Sequence, residues 1–307
     1  MLVENTNSIK GKPAEVAEKL HYVKPHVYIA SETKLDKTVY SSEFMPQDYR
    51  NVFRNDRTIH SGGVLIAHRD DVIATPVKLD GIKDDCELTV SKIKMSGNKP
   101  PLYVMPMAYY RSQIDNSANT SLDSLESAIK QVVELVGNSK STIILAGDFN
   151  CPGIDWDNLV PGNRVVGVSE KLIQITTEHG LSQQQRDPTK LDALLDLVFT
   201  NNESLIHSTS TIPGISTANE HESIVADLDL KAEVNKSIPH TVYQWSQVNW
   251  VEVKRRASVF AERFCREYED KSAKEQGEAV QGFIDSLMND KKLLMCRRAC
   301  VRSVRSS

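Results

Sequence analysis

The sequence predicts an α/β sandwich, a fold in which β-sheets carry helices on their outer faces. Short apolar runs typical of buried strands recur along residues 1 to 230. Segments with helical spacing are few, and they stand between strands that are far apart in the chain. Many strands, with helices placed between distant ones, are typical of layered α/β domains.

The elements of the N-terminal part follow from local signals. A short strand is expected at residues 2–5, almost at the initiator Met. Pro13 suits the first turn of a helix that runs to about Tyr22. Further strands are expected at 26–31, 63–67, 88–95 and 102–110.

The later elements have clearer boundaries. Thr120, with Asp123 three residues on, predicts the start of a helix that Gly137 ends. Its members at helical spacing form one apolar stripe, namely Leu122, Leu125, Ile129, Val132, Val133 and Val136. Ser169 is expected to cap another helix, which ends at Gly180, and the last strands are expected at 193–201 and 223–230.

The segment from Thr142 to Asn150 is the most informative about function. Its apolar run stops at Gly147, and the turn that follows presents Asp148 and Asn150. Alternation at a strand end points these two side chains the same way. A carboxylate and an amide in that arrangement can hold a phosphate or a water molecule. A strand that leaves the core through an Asx-type turn has the same sequence, so the motif alone leaves both interpretations open.

Asp148 and Asn150 belong to a series of polar residues along the chain, and supporting motifs lie between the members of this series. The polar residues are Asn5, Glu32, Tyr110, Arg111, Asp148, Asn150, Asp196, Glu220 and His221. The supporting motifs are Asn55-Asp56-Arg57, Ser61-Gly62-Gly63, Pro152-Gly153-Ile154-Asp155-Trp156 and Asp187-Pro188-Thr189. In this order they resemble the endonuclease/exonuclease/phosphatase family, and within it the endonuclease domain of non-LTR (LINE-type) retrotransposons. The resemblance covers roughly residues 1 to 230, and its specificity comes from the order.

The resemblance implies a four-layered α/β-sandwich, with two packed mixed β-sheets flanked by helices and the site at one end of the sheets. The endonuclease-like domain is then expected at residues 1–232. Residues 233–307 are expected to form a helical appendage like the linker toward a reverse transcriptase, which the sequence itself does not contain. Asn249 with Glu252 predicts a helix N-terminus there. The last 17 residues hold six Lys or Arg and no acid.

Phosphodiester hydrolysis needs charge neutralised on the phosphate, an activated water and stabilisation of the leaving oxygen. The resemblance implies that Glu32 and Glu220 bind Mg²⁺ or Mn²⁺, and that Asp148 activates the water. For Glu32, an exposed carboxylate at a strand end is the other interpretation. Asn150 would orient the phosphate or the water.

The remaining roles also come from the resemblance. His221 would stabilise the phosphate or shuttle a proton, with Asp196 fixing its tautomer within hydrogen-bond reach. Asn5 and Arg111 would bind phosphate. Tyr110 would contribute to catalysis, although a half-buried strand tyrosine has the same sequence signature.

The chain departs from the family pattern beside the expected site. The family has a contiguous Ser-Asp-His, whereas here Ser216 is separated from Glu220 and His221 by three residues. Either three residues are inserted and the aspartate is replaced by Glu220, or Ser-Asp-His is replaced by Asn219-Glu220-His221. The acid before the histidine is therefore one methylene longer. Arg111 is followed by Ser112 instead of proline, and only two of three glycines remain at Gly62-Gly63. These changes predict a weakened site, because a misplacement of about 1 Å can cost on the order of a hundredfold in rate.

Three functions remain open from the sequence: a Mg²⁺-dependent DNA endonuclease, a degenerate remnant that at most binds DNA, and a phosphatase acting on a soluble or lipid headgroup. Lys and Arg total 37 against 41 Asp and Glu, a net charge of −4, so there is no global signature of nucleic-acid binding. The five scattered cysteines favour a reducing compartment, and an intracellular, nuclear location is expected. Without an apolar run of membrane-spanning length, no membrane partner is expected.

Overall fold

The computed structural model describes residues 1–83, 86–96, 102–112, 120–137, 141–215, 220–229, 240–243, 248–288, 290 and 296–299. The chain divides into two compact units, Met1–Val234 and Asn235–Ser307. The boundary expected from the sequence, between residues 232 and 233, lies two residues earlier.

The described residues of the N-terminal unit form two six-stranded sheets and three α-helices. The strands are β1 (Leu2–Asn5), β2 (Val27–Ser31), β3 (Asn51–Asn55), β4 (Val64–His68), β5 (Ala74–Pro76), β6 (Glu87–Lys94), β7 (Tyr103–Tyr110), β8 (Thr142–Asp148), β9 (Ser182–Gln183), β10 (Asp196–Thr200), β11 (Ile206–Pro213) and β12 (Glu222–Leu228). The helices are α1 (Pro13–Val23), α2 (Thr120–Val136) and α3 (Val166–Glu178).

Both sheets are mixed. The first has the order β11-β12-β1-β2-β4-β3, and the second has the order β5-β6-β7-β8-β10-β9. Strands β1 and β2 are parallel neighbours, as are β7 and β8, and the other strand pairs formed by described residues of the two sheets are antiparallel.

Alternation along the strands separates three apolar layers. Val3 and Ala146 belong to the core between the two sheets, whereas Leu2 and Leu145 point to the outer faces. Helix α1 covers the outer face of the first sheet, and α2 and α3 cover that of the second. The result is the helix–sheet–sheet–helix sandwich that the sequence predicts, and the predicted fold class is confirmed.

Some local predictions are wrong. Ser169 does not cap its helix, because α3 begins at Val166 and the buried Ser169 lies inside it. The strand expected at residues 193–201 is β10, and it begins at Asp196, three residues later than expected. Strands β3 and β11 were not expected; both consist largely of partly exposed residues, so neither has the apolar run of a buried strand.

His68 is a fully buried histidine at the end of β4. Its Nε2 lies 3.0 Å from Ser91 Oγ on β6, so the ring lies between the two sheets. Its Nδ1 has no hydrogen-bond partner among the described residues. Burial lowers the pKa of His68 to about 4, so the ring is neutral in the folded protein at neutral pH.

This histidine is expected to make folding stability depend on pH. The pKa is about 6.5 in the unfolded chain and lower in the folded one, so the stabilisation is complete above pH 6.5 and is lost as the pH falls toward 4. The loss should approach ~3 kcal/mol in the free energy of unfolding. Urea denaturation at pH 7, 6, 5 and 4.5 should show a flatter profile for His68→Gln than for the wild type. The exposed His207 is the matched control, and His207→Gln should keep the wild-type slope. Equal slopes for the wild type and His68→Gln would contradict the prediction.

The C-terminal unit has two helices, α4 (Trp250–Tyr268) and α5 (Ala273–Met288), and an antiparallel pair formed by β13 (His240–Tyr243) and β14 (Cys296–Ala299). Asn249 caps α4 by accepting a hydrogen bond from the Glu252 N–H at 3.1 Å, as predicted. Phe260 and Phe283 stack with ring centroids 4.3 Å apart, which joins α4 to α5. Among the described residues, no helix has both the length and the apolar character needed to cross a membrane.

Candidate active site

A row of polar residues crosses the second sheet at one end. The strand register pairs Glu87 with Tyr110, Tyr110 with Asp148, and Asp148 with Asp196. Directly paired residues on neighbouring strands point to the same face of a sheet. That face is the inter-sheet one, because Ala146, two residues before Asp148, lies in the core between the sheets. Strand pairing therefore brings together residues that lie far apart in the sequence.

Asp148 is almost fully buried and is held from two sides. Asn5, at the end of β1 in the first sheet, donates its Nδ2 hydrogen to Asp148 Oδ2 at 2.9 Å. The backbone N–H of Asn150 donates to Asp148 Oδ1 at 3.0 Å. The Asn150 side chain itself donates to the carbonyl oxygen of Arg111 at 2.7 Å. Asn150 thus holds the turn in place with its amide and fixes the carboxylate with its backbone.

His221 and Asp196 form a buried pair beside Asp148. The Nδ1 atom of His221 lies 2.9 Å from Asp196 Oδ2, which is the hydrogen bond that the sequence predicts. The other carboxylate oxygen, Asp196 Oδ1, is buried and has no partner among the described residues. Thr189 connects the backbone at Asp196 to the backbone just after His221. Its Oγ1 accepts from the Asp196 N–H at 3.0 Å, and its carbonyl accepts from the N–H of Glu222, the residue after His221, at 2.7 Å.

The electrostatics of this group favour a cation. One ligand atom each from Asp148, Asp196 and His221 lie within 4.8 Å of one another, so these three could hold a metal ion. Burial raises the pKa of Asp148 to about 8, and the charge of Asp196 adds to the rise. Burial of His221 acts to lower its pKa, but the hydrogen bond to Asp196 and the charges of Asp196 and Asp148 outweigh it and raise the pKa.

Glu32 reaches the site through Tyr110. The Tyr110 hydroxyl donates to Glu32 Oε1 at 2.7 Å, and Lys34 Nζ lies 3.7 Å from Glu32 Oε2. Burial raises the pKa of Tyr110, and the bond to Glu32 adds to it, so the hydroxyl stays a donor. The backbone of Glu32 has a positive φ of 48°, and its carbonyl accepts from the Ser8 N–H at 2.8 Å.

The side chains of two expected site residues, Arg111 and Glu220, take no part in these contacts, although the backbone of Arg111 does. The Arg111 side chain is buried, and its Nε has no partner among the described residues. Glu220 is exposed and has a positive φ of 56°. Neither Glu32 nor Glu220 belongs to the group of three that could hold a metal ion, so their assignment as ligands stays a prediction. Residues 216–219, on which the choice between an insertion and a replaced motif depends, lie outside the described residues.

Sequence reasoning gave no role to Glu87, which is 4% exposed. Its carboxylate accepts hydrogen bonds from the Gly63 N–H and, at 2.6 Å, from Arg57 Nη1. Burial raises the pKa of Glu87, against the opposing effect of these two donors. No local signal marked Glu87, because the strand expected from the sequence begins at residue 88 and both hydrogen-bond donors to Glu87 lie more than 20 residues away in the chain.

The two mixed sheets and the polar row at their end define an endonuclease/exonuclease/phosphatase fold, which solved structures share. One is the endonuclease domain of TRAS1, a telomere-specific non-LTR retrotransposon, with a TM-score of 0.55, 18% identity and coverage of 75% of this chain and 97% of that one. Another is the 3′ phosphatase NExo from Neisseria, bound to a product DNA hairpin, with a TM-score of 0.57, 15% identity and coverage of 74% and 98%. An AP endonuclease from Archaeoglobus fulgidus has a TM-score of 0.54, 18% identity and coverage of 75% and 98%.

The match to a family model covers a shorter part of the chain than the structural matches do. Residues 104–225 match the model of the family described as Endonuclease-reverse transcriptase. This segment runs from β7 into β12 and includes Tyr110, Asp148, Asp196 and His221. A comparison with curated proteins gives no match. The resemblance to retrotransposon endonuclease domains that the motifs indicate is thereby confirmed.

Proposed function

We propose that this chain is a metal-dependent phosphodiester hydrolase, and specifically a DNA endonuclease of a retrotransposon-derived protein. The observation that carries the proposal is the buried Asp148 carboxylate, which Asn5 holds on one side and the Asp196–His221 pair adjoins on the other. The family match and the fold support it. Chromosomal DNA as substrate would place the protein in the nucleus, and a reverse transcriptase is the partner expected in an intact element.

The residues of the site fit a divalent cation such as Mg²⁺ or Mn²⁺. Such cations prefer oxygen ligands, and the buried Asp196 Oδ1 lacks any other partner among the described residues. Asp148 and Asp196 are the carboxylates that would hold it, and Glu32, hydrogen-bonded to Tyr110, and Glu220 are ligands predicted from their motifs. When bound, the ion would neutralise charge on the phosphate oxygens.

The protein's own side chains would supply positioning and proton transfer. Asn5 and the Asn150 N–H fix both oxygens of Asp148, so the carboxylate is held in place to accept a proton from an attacking water. Asp196 sets the orientation of the His221 ring through Nδ1, which leaves Nε2 for the phosphate. Tyr110, kept protonated, holds Glu32 in place.

A second candidate is a weakened site that binds DNA without cutting it. The exposed Glu220, one methylene longer than the family's aspartate, favours this alternative. A third candidate, a phosphatase, has no such observation in its favour, although one similar structure is a 3′ phosphatase.

A plasmid-nicking assay tests these candidates directly. Supercoiled plasmid should become open-circular with Mg²⁺ or Mn²⁺ and stay intact with EDTA. A labelled duplex with a 3′ phosphate, assayed in parallel, measures phosphatase activity. Duplex binding without nicking would favour the weakened site, and the absence of both would contradict the proposed function.

Metal binding is expected to depend on Glu32. Because a carboxamide is a poorer ligand than a carboxylate, Glu32→Gln should weaken Mn²⁺ binding by about tenfold or more. Titration calorimetry without DNA measures this separately from activity. Glu18 is exposed on α1, and Glu18→Gln is the matched control that should bind like the wild type. Equal affinities for Glu32→Gln and the wild type would show that Glu32 is not a ligand.

A further inference from the structure

Arg57 forms an ion pair whose two ends differ in exposure. Its Nη1 donates to Glu87 Oε1 at 2.6 Å, and the side chain of Glu87 is 5% exposed while that of Arg57 is 45% exposed. The Nε and Nη2 atoms of Arg57 have no hydrogen-bond partner among the residues that the structure describes. The guanidinium is therefore fixed by a buried anchor while two of its nitrogens remain available to a ligand.

The pair lies beside the candidate active site. Glu87 is two strands away from Asp148 in the polar row, an offset of roughly 10 Å at ordinary strand spacing. The turn that follows Arg57 is also joined to the segment of Glu32. The carbonyl oxygens of Gly63 and Gly62 accept hydrogen bonds from the N–H groups of Thr33 and Lys34, the two residues after Glu32. The turn that holds Glu87 is therefore hydrogen-bonded to the segment that carries Glu32.

The two glycines of this turn leave room for the anchor. Gly62 has a φ of 68°, and a Cβ atom there would collide with the carboxylate of Glu87. Gly63 has a φ of 88°, and a Cβ atom there would collide with the hydroxyl of Thr33. The Ser61-Gly62-Gly63 motif therefore permits the close approach of Glu87 from the second sheet.

A cation at the position of Arg57 would reduce the repulsion between the carboxylates of the polar row and a nucleic-acid backbone. The row contributes the carboxyl groups of Glu87, Asp148 and Asp196, and the whole chain has a net charge of −4. A nucleic-acid backbone is negative, so its binding here needs local positive charge. Arginine suits that role, because one edge of its guanidinium can bind a carboxylate while the remaining N–H groups bind a phosphate.

We propose that Arg57, anchored by Glu87, binds a backbone phosphate of the nucleic-acid substrate on the side of the site where Glu32 lies. The proposal rests on the proposed function. Arg57 is then a substrate-binding residue, and Glu87 is its positioning residue.

Duplex binding measured by fluorescence anisotropy in EDTA tests the contact without cleavage. Arg57→Ala should bind about tenfold more weakly than the wild type, and the slope of log affinity against log salt should fall by about 0.9, as expected for one lost phosphate contact. Arg50 is the matched control: it pairs with Asp70 at the opposite end of β3, and Arg50→Ala should leave affinity and slope unchanged. With Mg²⁺, Arg57→Ala should raise KM and leave kcat within about twofold.

A double variant separates this role from simple compensation of the buried Glu87. Arg57→Ala alone leaves that carboxylate without its cation and should lower Tm. In Arg57→Ala/Glu87→Gln the charge is removed, so Tm should recover while DNA affinity stays low. Recovery of affinity together with Tm, or wild-type affinity in Arg57→Ala, would overturn the proposal. If the wild-type protein itself binds no duplex, the proposed function fails and this inference fails with it.

Discussion

Replacement of Asp148 by asparagine is expected to reduce plasmid nicking by roughly a thousandfold, because it removes both the charge and the proton acceptor at the centre of the site. The side chain keeps its size, so the fold should survive. Burial disfavours the charged form of Asp148, which favours the neutral amide, but the amide has one oxygen for two donors, Asn5 Nδ2 and the Asn150 N–H, so Tm should change little. The initial rate of open-circle formation at fixed Mg²⁺, with Tm measured on the same samples, gives both quantities.

The control for this substitution is Asp157, an exposed aspartate in the segment after the same turn. Asp157→Asn should nick at the wild-type rate. If Asp148→Asn nicks as fast as the wild type, the activity comes from a contaminating nuclease or from a mechanism that does not use this carboxylate.

The second large effect is expected from Gly147→Ala, which should destabilise the fold by roughly 3–5 kcal/mol. Gly147 has a φ of 140° and pairs with Tyr109 on the parallel strand β7. A Cβ atom at this position would collide with the carbonyl oxygen of Tyr109, which is main chain and has no rotamer to change. Thermal and urea denaturation measure the loss, and nicking should fall in proportion to the folded fraction.

Gly167 provides the comparison, since a Cβ atom there meets nothing within 4 Å. It lies in α3, where alanine is the better helix former, so Gly167→Ala should be neutral or stabilise the protein by up to about 1 kcal/mol. Similar stabilities for Gly147→Ala and the wild type would show that the backbone can shift to admit the methyl group.

The sequence predicts well whatever depends on short apolar runs. Strands β1 and β8 have the expected bounds or differ from them by little, because both are fully buried and stop at polar residues. Strand β11 was missed because its polar, partly exposed residues carry no such signal; hydrogen bonds to β12 define it instead. The start of α3 was predicted wrongly because serine is a common N-cap residue, whereas Ser169 lies buried within the helix, which begins at Val166.

Prediction of the site follows the same division. The pairing of His221 with Asp196 could be expected from the order of motifs, and spacing alone would not have shown it. The position of Glu87 beside Tyr110 depends on which strands are neighbours and in which register, and this is a property of the whole sheet. The hydrogen bond of the Asn150 amide to Arg111 also depends on a neighbouring strand, so a local motif gives no sign of it.

The polar row has a consequence for molecules that have not finished folding. Side chains alternate between the two faces of a strand, so a slip of one residue in β8 would turn Asp148 toward the helices and away from Asn5. The proposed catalytic site is thus assembled only after the strands of both sheets have paired in the correct register. Immature or misfolded copies of the protein would then be harmless to DNA, without the need for an inhibitor.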